Sequence, residues 1–169
     1  MEYEFTLKYQ LVEDEDIDAL LERLAEAGCD DALVGIGQPG RLSLEFVRES
    51  AGANEAIEGA LRDVRTAVPG ARLIEATPDL VGLTDVAEIV GVSRQNMRKL
   101  MLAHVHSFPA PIHEGSTSLW HLADVLAWLL ARGSYTIGQE TLDLARVAMA
   151  VNVSTAHARL VKSPTAFAH

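Results

Sequence analysis

The stretch LTDVAEIVGVSRQNMRKL, from Leu83 to Leu100, contains the signal that decides the fold of this chain. Ala87 and Gly91 are four residues apart, and the glycine suits the positive φ of a tight turn between two helices. Ser93 is a favoured residue for capping the second helix. Apolar residues recur where one helix must pack on the other: Val86, Val90, Val92, Met97 and Leu100. The spacing predicts helices over 83–90 and 93–103, joined as in a helix-turn-helix.

The second predicted helix exposes polar and basic side chains that suit DNA. Gln and Asn pair bidentately with adenine and Arg with guanine, whereas Arg and Lys also hold phosphates. A plain helical hairpin with a polar outer face is the alternative. We favour DNA recognition because the spacing, the cap, the core pattern and the polar content agree. The expected contacts come from Ser93 at the helix start, from the base readers Arg94, Gln95 and Asn96, and from the backbone anchors Arg98 and Lys99.

The following residues strengthen this interpretation. Phe108-Pro-Ala-Pro-Ile112, Gly115, Leu119-Trp120, Asp124-Val125 and Trp128-Leu129 resemble the wing and closing helix of the excisionase and AlpA-like branch of the MerR superfamily. The resemblance covers roughly residues 81–133. It implies that the helix from Ser93 to Lys99 reads the major groove and that a hairpin wing contacts the flanking backbone.

The resemblance places the wing tip at 113–118, with His113, Ser116 and Thr117 as further DNA contacts. Wings of this family usually carry arginine or lysine, and this tip carries none. Hydroxyl groups and a histidine bond phosphate without a formal positive charge. Phe108, Trp120 and Trp128 are expected to form the core that fixes the wing.

The first 80 residues alternate between strand and helix periods. Tyr3, Phe5, Leu7 and Tyr9 alternate with polar residues, whereas Ile17, Leu20, Leu21 and Leu24 recur at helical spacing. The order β-α-β-β-α-β is that of a ferredoxin-like sandwich, one sheet with two helices on one face. The predicted elements are strands at 3–9, 32–36, 42–47 and 71–76, helices at 17–24 and 53–68, and a turn at 37–40.

We therefore expect an α+β protein in three parts. Residues 1–77 form an acidic ferredoxin-like domain, 81–134 a winged helix-turn-helix, and 136–169 a helical tail. Thr77-Pro78-Asp79 is the expected linker, and strand signals stop after it. His104 to Leu119 is expected to be irregular or strand-like, followed by a helix over 124–131 and another over 139–161.

The charge distribution bears on the partners of the chain. The net charge is −10, but residues 1–80 hold 7 Lys or Arg and 18 Asp or Glu, and the remainder is close to neutral. DNA affinity depends on local phosphate neutralisation rather than on the total charge. A neutral DNA-binding segment predicts modest affinity for each subunit, which favours a homodimer that regulates transcription. The acidic domain leaves two alternatives open, a basic protein partner, as for an antitoxin that regulates itself, and a small-molecule effector.

The tail contains a weak internal similarity. A shift of 61 residues aligns Val86, Ala87, Ser93 and Arg98 with Val147, Ala148, Ser154 and Arg159, and places Asn152 where Gly91 stands. Because Asn tolerates the left-handed turn, a degenerate second helix-turn-helix is one alternative. We favour a continuous helix used for dimer packing.

Several other functions lack support in the sequence. Gly35-x-Gly37-x-x-Gly40 matches a dinucleotide fingerprint, but a strand rather than a helix is expected after it. His104, His106, His113 and His121 lack a nearby cysteine, so exposed or phosphate-contacting histidines are favoured over a metal site. No Ser/His/Asp or Cys/His set suggests a nucleophile. We expect no enzymatic activity, no cofactor and no membrane span, and with the single Cys29 a cytoplasmic location.

Overall fold

A computed structural model of the chain describes residues 1–133 and 135–162, so Ser134 and the end of the predicted tail, 163–169, lie outside it. The described residues form a four-stranded antiparallel sheet, a two-stranded sheet and six helices, which confirms the α+β class. None of these helices combines the length and apolar character that crossing a membrane requires. The described residues form two compact units: Met1–Thr77 with 150–162, called the N-terminal unit, and Pro78–Met149, called the central unit.

The sheet of the N-terminal unit contains four antiparallel strands in the order β2-β3-β1-β4. Its centre is the pair β1 and β3, in which Phe5 lies opposite Phe46 and their rings stack at 5.1 Å. The predicted alternation in β1 is confirmed, because Tyr3, Phe5, Leu7 and Tyr9 are all buried. The strands are β1 (Glu2–Gln10), β2 (Ala32–Gly35), β3 (Arg41–Glu49) and β4 (Arg72–Thr77).

Two helices complete this core, α1 (Ile17–Glu26) and α2 (Ala53–Ala67). They pack on each other, and α2 packs on β1. Helix α1 buries Leu20 and Leu24 but leaves Ile17 and Leu21 half exposed, so only one side of the predicted apolar stripe faces the core. Helix α2 presents small residues among its buried positions, which allow close packing: Ala53, Ala56, Ile57, Ala60, Val64 and Ala67.

The glycines at 35, 37 and 40 belong to a hairpin. The Arg41 N–H donates to the Gln38 carbonyl at 3.0 Å, and Gly40 has φ +77°. Strand β3 begins directly after Gly40, one residue earlier than predicted, so a strand follows the turn as expected. A dinucleotide site of the Rossmann type would instead require a helix N-terminus at this point.

The central unit is mainly helical. Its elements are β5 (Leu80–Val81), α3 (Leu83–Val90), α4 (Arg94–Ala103), β6 (Trp120–His121), α5 (Leu122–Arg132) and the part of α6 (Gln139–Val161) up to Met149. The predicted bounds of α3 and α6 agree with the structure, and α4 begins one residue later than predicted because Ser93 is its N-cap. Helix α5 begins two residues earlier than predicted, because Leu122 and Ala123 are buried against the core and continue its apolar face. Val86, Met97, Leu126 and Leu129 are among the fully buried core residues.

The predicted linker is wrong for Asp79. This side chain is only 1% exposed, and its Oδ1 lies 2.6 Å from Nδ1 of His121. The Asp79 carbonyl accepts the Leu122 N–H at 2.7 Å. Strand signals also do not stop at this point, because β5 follows and pairs with β6. Asp79 therefore belongs to the core of the central unit rather than connecting two domains.

The alternative of a second helix-turn-helix in the tail is also wrong. Helix α6 continues unbroken through Asn152, and every residue with positive φ in the described part of the chain is a glycine. The Asn152 side chain is used elsewhere in the N-terminal unit. Its Oδ1 accepts the Ala76 N–H and its Nδ2 donates to the Ala76 carbonyl, both at 2.8 Å. The helical interpretation of the tail is confirmed as far as residue 161.

Candidate nucleic-acid interface

The turn between α3 and α4 is built as the sequence predicts. Gly91 has φ 80° and ψ 31°, and its N–H donates to the Ala87 carbonyl at 2.9 Å. The Val92 N–H reaches the same carbonyl at 3.0 Å. Ala87 is 2% exposed where the helices pack, so a larger side chain there would push them apart. The turn thereby fixes the direction in which α4 leaves α3.

Ser93 is the N-cap of α4. Its Oγ accepts the backbone N–H of Asn96 at 3.1 Å, which satisfies one of the free donors at the helix start. The hydroxyl proton of Ser93 remains able to donate to another acceptor. The structure therefore gives this predicted DNA contact a structural role at the start of the helix.

Helix α4 has a buried side and a polar side. Met97 is fully buried, and Leu100 and Met101 pack partly against the core. At 100° per residue, Gln95 and Lys99 lie almost opposite Met97. Asn96 lies on one flank of this outward face, and the five predicted contacts on α4 are all exposed: Arg94, Gln95, Asn96, Arg98 and Lys99.

The other flank of α4 borders a cleft of about 490 Å³. Arg94 and Arg98, one helical turn apart, line it on one side, and Ser116 and Thr117 line it on another. The structure thus brings together four of the predicted residues from segments about 20 residues apart. The start of α3 closes the cleft, with its capping residue among the lining groups: Gly82, Leu83, Thr84 and Asp85.

Asp85 is the acidic group of this cleft. Its Oδ2 accepts the Gly82 N–H at 3.0 Å, which completes the cap of α3. A carboxylate here opposes the binding of an anion, whereas Arg94 and Arg98 favour it. The sequence pattern did not indicate that Asp85 would share a surface with the two arginines.

The hairpin that carries Ser116 and Thr117 is short. Ile112 N–H donates to the Leu119 carbonyl at 2.8 Å, and Leu119 N–H donates to the His113 carbonyl at 3.0 Å. The tip is therefore 114–118, and His113 is part of its base. His113 is exposed but is not among the residues lining the cleft, so the structure does not bring it together with Arg94 and Arg98.

Aromatic side chains anchor the hairpin as predicted. The Phe108 ring lies edge-on to Trp120 and Trp128, with centroids 6.1 Å and 5.0 Å away. Trp120 donates its indole N–H to the Pro109 carbonyl at 2.9 Å. Phe108 and Trp120 are buried, whereas Trp128 is half-buried with the Arg132 guanidinium 4.9 Å above its ring.

The histidines do not gather into a metal site. Among the described residues, no group of three or more His, Cys, Asp or Glu side chains is placed to hold a metal ion. His106 and His113 are exposed, as expected. The expectation is wrong for His121, whose side chain is 16% exposed and bonds to Asp79. These two residues lie 42 positions apart, and no local pattern links them.

A second charged cleft, of about 550 Å³, lies in the N-terminal unit. At its base, Arg48 bonds to both carboxylate oxygens of Asp31 (2.7 and 3.0 Å) and to the Gly28 carbonyl (2.9 Å). It also pairs with Asp63 at 3.1 Å. The hydrogen bonds to Asp31 raise the pKa of Arg48 above its ordinary value. Because these groups satisfy one another, we assign the cluster to the stability of this unit.

Comparison with known proteins adds no assignment. No family model, no curated protein and no solved structure matches this chain.

Proposed function

We propose that this protein binds double-stranded DNA sequence-specifically as a homodimer and regulates transcription. In this proposal the central unit is a winged helix-turn-helix, similar to the excisionase and AlpA-like branch of the MerR superfamily. The N-terminal unit is a ferredoxin-like domain, a proposal supported by the strand order β2-β3-β1-β4 together with the element order β-α-β-β-α-β.

One observation carries the proposal. Arg94 and Arg98 of α4 line the same cleft as Ser116 and Thr117 of the hairpin. Two guanidinium groups and two hydroxyl groups on adjoining surfaces are suited to a run of phosphates beside a groove. A plain helical hairpin would not require these groups to adjoin.

The outward face of α4 supplies the base readers in this proposal. Gln95 and Lys99 lie opposite the buried Met97, so they enter a groove first when α4 docks. In this proposal Lys99 therefore moves from the expected backbone anchors to the base readers, and Arg94 from the base readers to the phosphate contacts. Glutamine recognises the N6 and N7 edge of adenine, and lysine the O6 and N7 edge of guanine. An α-helix with its side chains is about 10–12 Å across, so it fits the major groove, which is about 12 Å wide.

Charge supports the same surface. Helix α4 carries three basic residues and no acidic residue, whereas residues 1–80 carry an excess of 11 negative charges. In the proposed complex, α4 faces the phosphates and the acidic N-terminal unit stays away from them. Three cations for each protomer give modest affinity, and a dimer doubles the number of contacts.

The experiment that tests the proposal is selection of bound fragments from sheared genomic DNA, followed by affinity measurement across a salt series. We expect enrichment of a few sites that contain inverted half-sites about 10 base pairs, or a multiple of that, apart. The Gln95→Ala variant should lose site preference. The double variant Arg94→Ala/Arg98→Ala should reduce the slope of log affinity against log salt by about 1.8 for each protomer.

Arg72→Ala/Arg41→Ala is the matched control, because it removes two exposed arginines from β3 and β4 of the other unit. It removes the same charge as the α4 double variant but leaves α4 unchanged, so it should bind DNA as the wild type does. Failure of the wild type to enrich any fragment at low salt would refute the proposal. Equal losses in both double variants would refute the role of α4.

A second candidate function rests on the exposed side of the N-terminal sheet. Glu2 lies directly opposite Glu49, and Glu4 and Glu45 project from the same face of β1 and β3. All four side chains are exposed. Like charges opposite one another destabilise a sheet. The Met1 amino group pairs with Glu49 at 2.6 Å, and a basic protein partner would relieve the remaining repulsion. In this antitoxin-like alternative, DNA binding is autoregulation, and an untagged basic protein should co-purify with the chain.

A further inference from the structure

Helix α4 ends with an exposed apolar side chain that packing does not explain. Leu102 is 53% exposed, whereas its neighbours Leu100 and Met101 pack against the core. It lies on the same side of α4 as Gln95 and Lys99, which precede it by seven and three residues. The rest of this outward face is polar apart from the small Ala103, so Leu102 is its large apolar member.

We infer that Leu102 contacts the 5-methyl group of a thymine. This inference rests on the proposed function, because it assumes that the outward face of α4 enters the major groove. The thymine methyl is the apolar group that base pairs present in that groove, and apolar side chains recognise it. A leucine on the groove-facing side of this helix can pack against that methyl group, and it has no hydrogen-bonding group with which to recognise a polar base edge.

The helix geometry also sets the spacing. Gln95 and Leu102 are seven residues apart, which corresponds to about 10.5 Å along the helix axis. Base pairs are about 3.4 Å apart along the DNA axis, and a helix that lies in the groove is inclined to that axis, so this distance spans at most about three base-pair steps. An adenine read by Gln95 and a thymine read by Leu102 should therefore stand within about three base pairs of each other in each half-site.

The test uses a duplex that contains a site selected by the wild-type protein. Each thymine is replaced in turn by 2′-deoxyuridine, which lacks only the methyl group, and each adenine by 7-deazaadenine, which lacks the N7 acceptor. Burial of one methyl group corresponds to about a fourfold change in affinity. We expect about this loss at one thymine in each half-site, within about three base pairs of the adenine at which 7-deazaadenine also weakens binding.

Two variants separate methyl recognition from a general loss of affinity. Leu102→Ala should bind the thymine and uracil duplexes equally, with the affinity that the wild type shows for the uracil duplex. Leu33→Ala is the matched control, because Leu33 is 70% exposed on β2 of the N-terminal unit. It should retain the full preference of the wild type for thymine.

The outcomes distinguish this inference from the proposal on which it rests. If the wild type binds DNA but uracil has no effect at any position, the role of Leu102 is refuted and the DNA-binding function stands. If Leu102→Ala weakens binding but keeps the thymine preference, the contact is again refuted. If no DNA is bound at low salt, both the function and the inference are overturned.

Discussion

The replacement Gly91→Ala tests the turn on which the interface depends. Gly91 has φ 80°, in the left-handed region, and a β-carbon added there would meet no atom within 4 Å. The cost should therefore be torsional only, about 1 kcal/mol of the unfolding free energy of the central unit. The hydrogen bonds from Gly91 and Val92 to the Ala87 carbonyl should remain, so the fold should be retained.

The assay is urea denaturation followed by tryptophan fluorescence. Both tryptophans, Trp120 and Trp128, lie in the central unit, so their emission reports its unfolding. We expect a lower urea concentration at the unfolding midpoint with an unchanged m-value, and a melting temperature lower by about 4–8 °C. Gly91→Asn should lower the unfolding free energy less than Gly91→Ala does, because asparagine adopts the left-handed backbone conformation more readily than alanine.

Gly133→Ala is a parallel case, because Gly133 has φ 72° and equally open surroundings. This replacement should lower the unfolding free energy of the central unit by about as much as Gly91→Ala does. A loss above about 3 kcal/mol at Gly91 would show that a side chain clashes there, in contradiction to the open space around it. No measurable loss would show that Gly91 is not left-handed.

Three further predictions concern buried and charged groups. Asp79→Ala removes the acceptor from His121 at a buried position and should cost the central unit about 1–3 kcal/mol in the same fluorescence assay. Burial, with a smaller contribution from the Asp63 carboxylate, raises the pKa of the Cys29 thiol from 9.0 to about 11. The Cys29 thiol therefore loses its proton at a lower pH in the unfolded chain than in the folded chain. The free energy of unfolding of the N-terminal unit should fall as the pH rises from 9 to 11, as monitored by far-UV circular dichroism. Asp85→Asn should raise DNA affinity about threefold at low salt, because one repelling charge leaves the cleft.

Each of these predictions has a control. A cost of Asp79→Ala equal to that of an exposed acid, such as Glu88→Ala on α3, would contradict the role of the buried pair. For Cys29, the Cys29→Ala variant should lose less stability over the same pH range, and an identical loss would assign the effect to other groups. For Asp85, Glu114→Gln, at an exposed position of the hairpin tip, is the comparison, and an equal gain from both would indicate a general charge effect.

Local signals in the sequence predicted most of the elements. The turn at Gly91 and the cap at Ser93 are each specified by one residue type with a clear conformational preference, so α3 was predicted with its exact bounds and α4 to within one residue. The alternation in β1 and the Gly37–Gly40 turn were equally readable. The inward and outward sides of α4 also followed from the spacing of Met97 and Leu100.

Contacts between distant segments could not be predicted in this way. Strands β5 and β6 have two residues each and pair across about 40 positions, so neither shows an alternation of its own. The bond between Asp79 and His121 depends on that pairing. The shared cleft of Arg94, Arg98, Ser116 and Thr117 depends on how Phe108 and Trp120 hold the hairpin, which no single segment encodes. Leu102 was missed because an isolated leucine at a helix end resembles an ordinary core residue.

The two hydrogen bonds between Asn152 and Ala76 affect how the sheet ends. Strand β4 is at the edge of the sheet, where unpaired backbone groups invite the addition of a strand from another molecule. The amide of Asn152 occupies both the N–H and the carbonyl of Ala76, in the way a neighbouring strand would. A second chain that added to this edge would have to displace Asn152 first. The Asn152 side chain therefore blocks the addition of a strand to β4. Aggregation through this edge, and a homodimer formed by strand addition there, are both disfavoured.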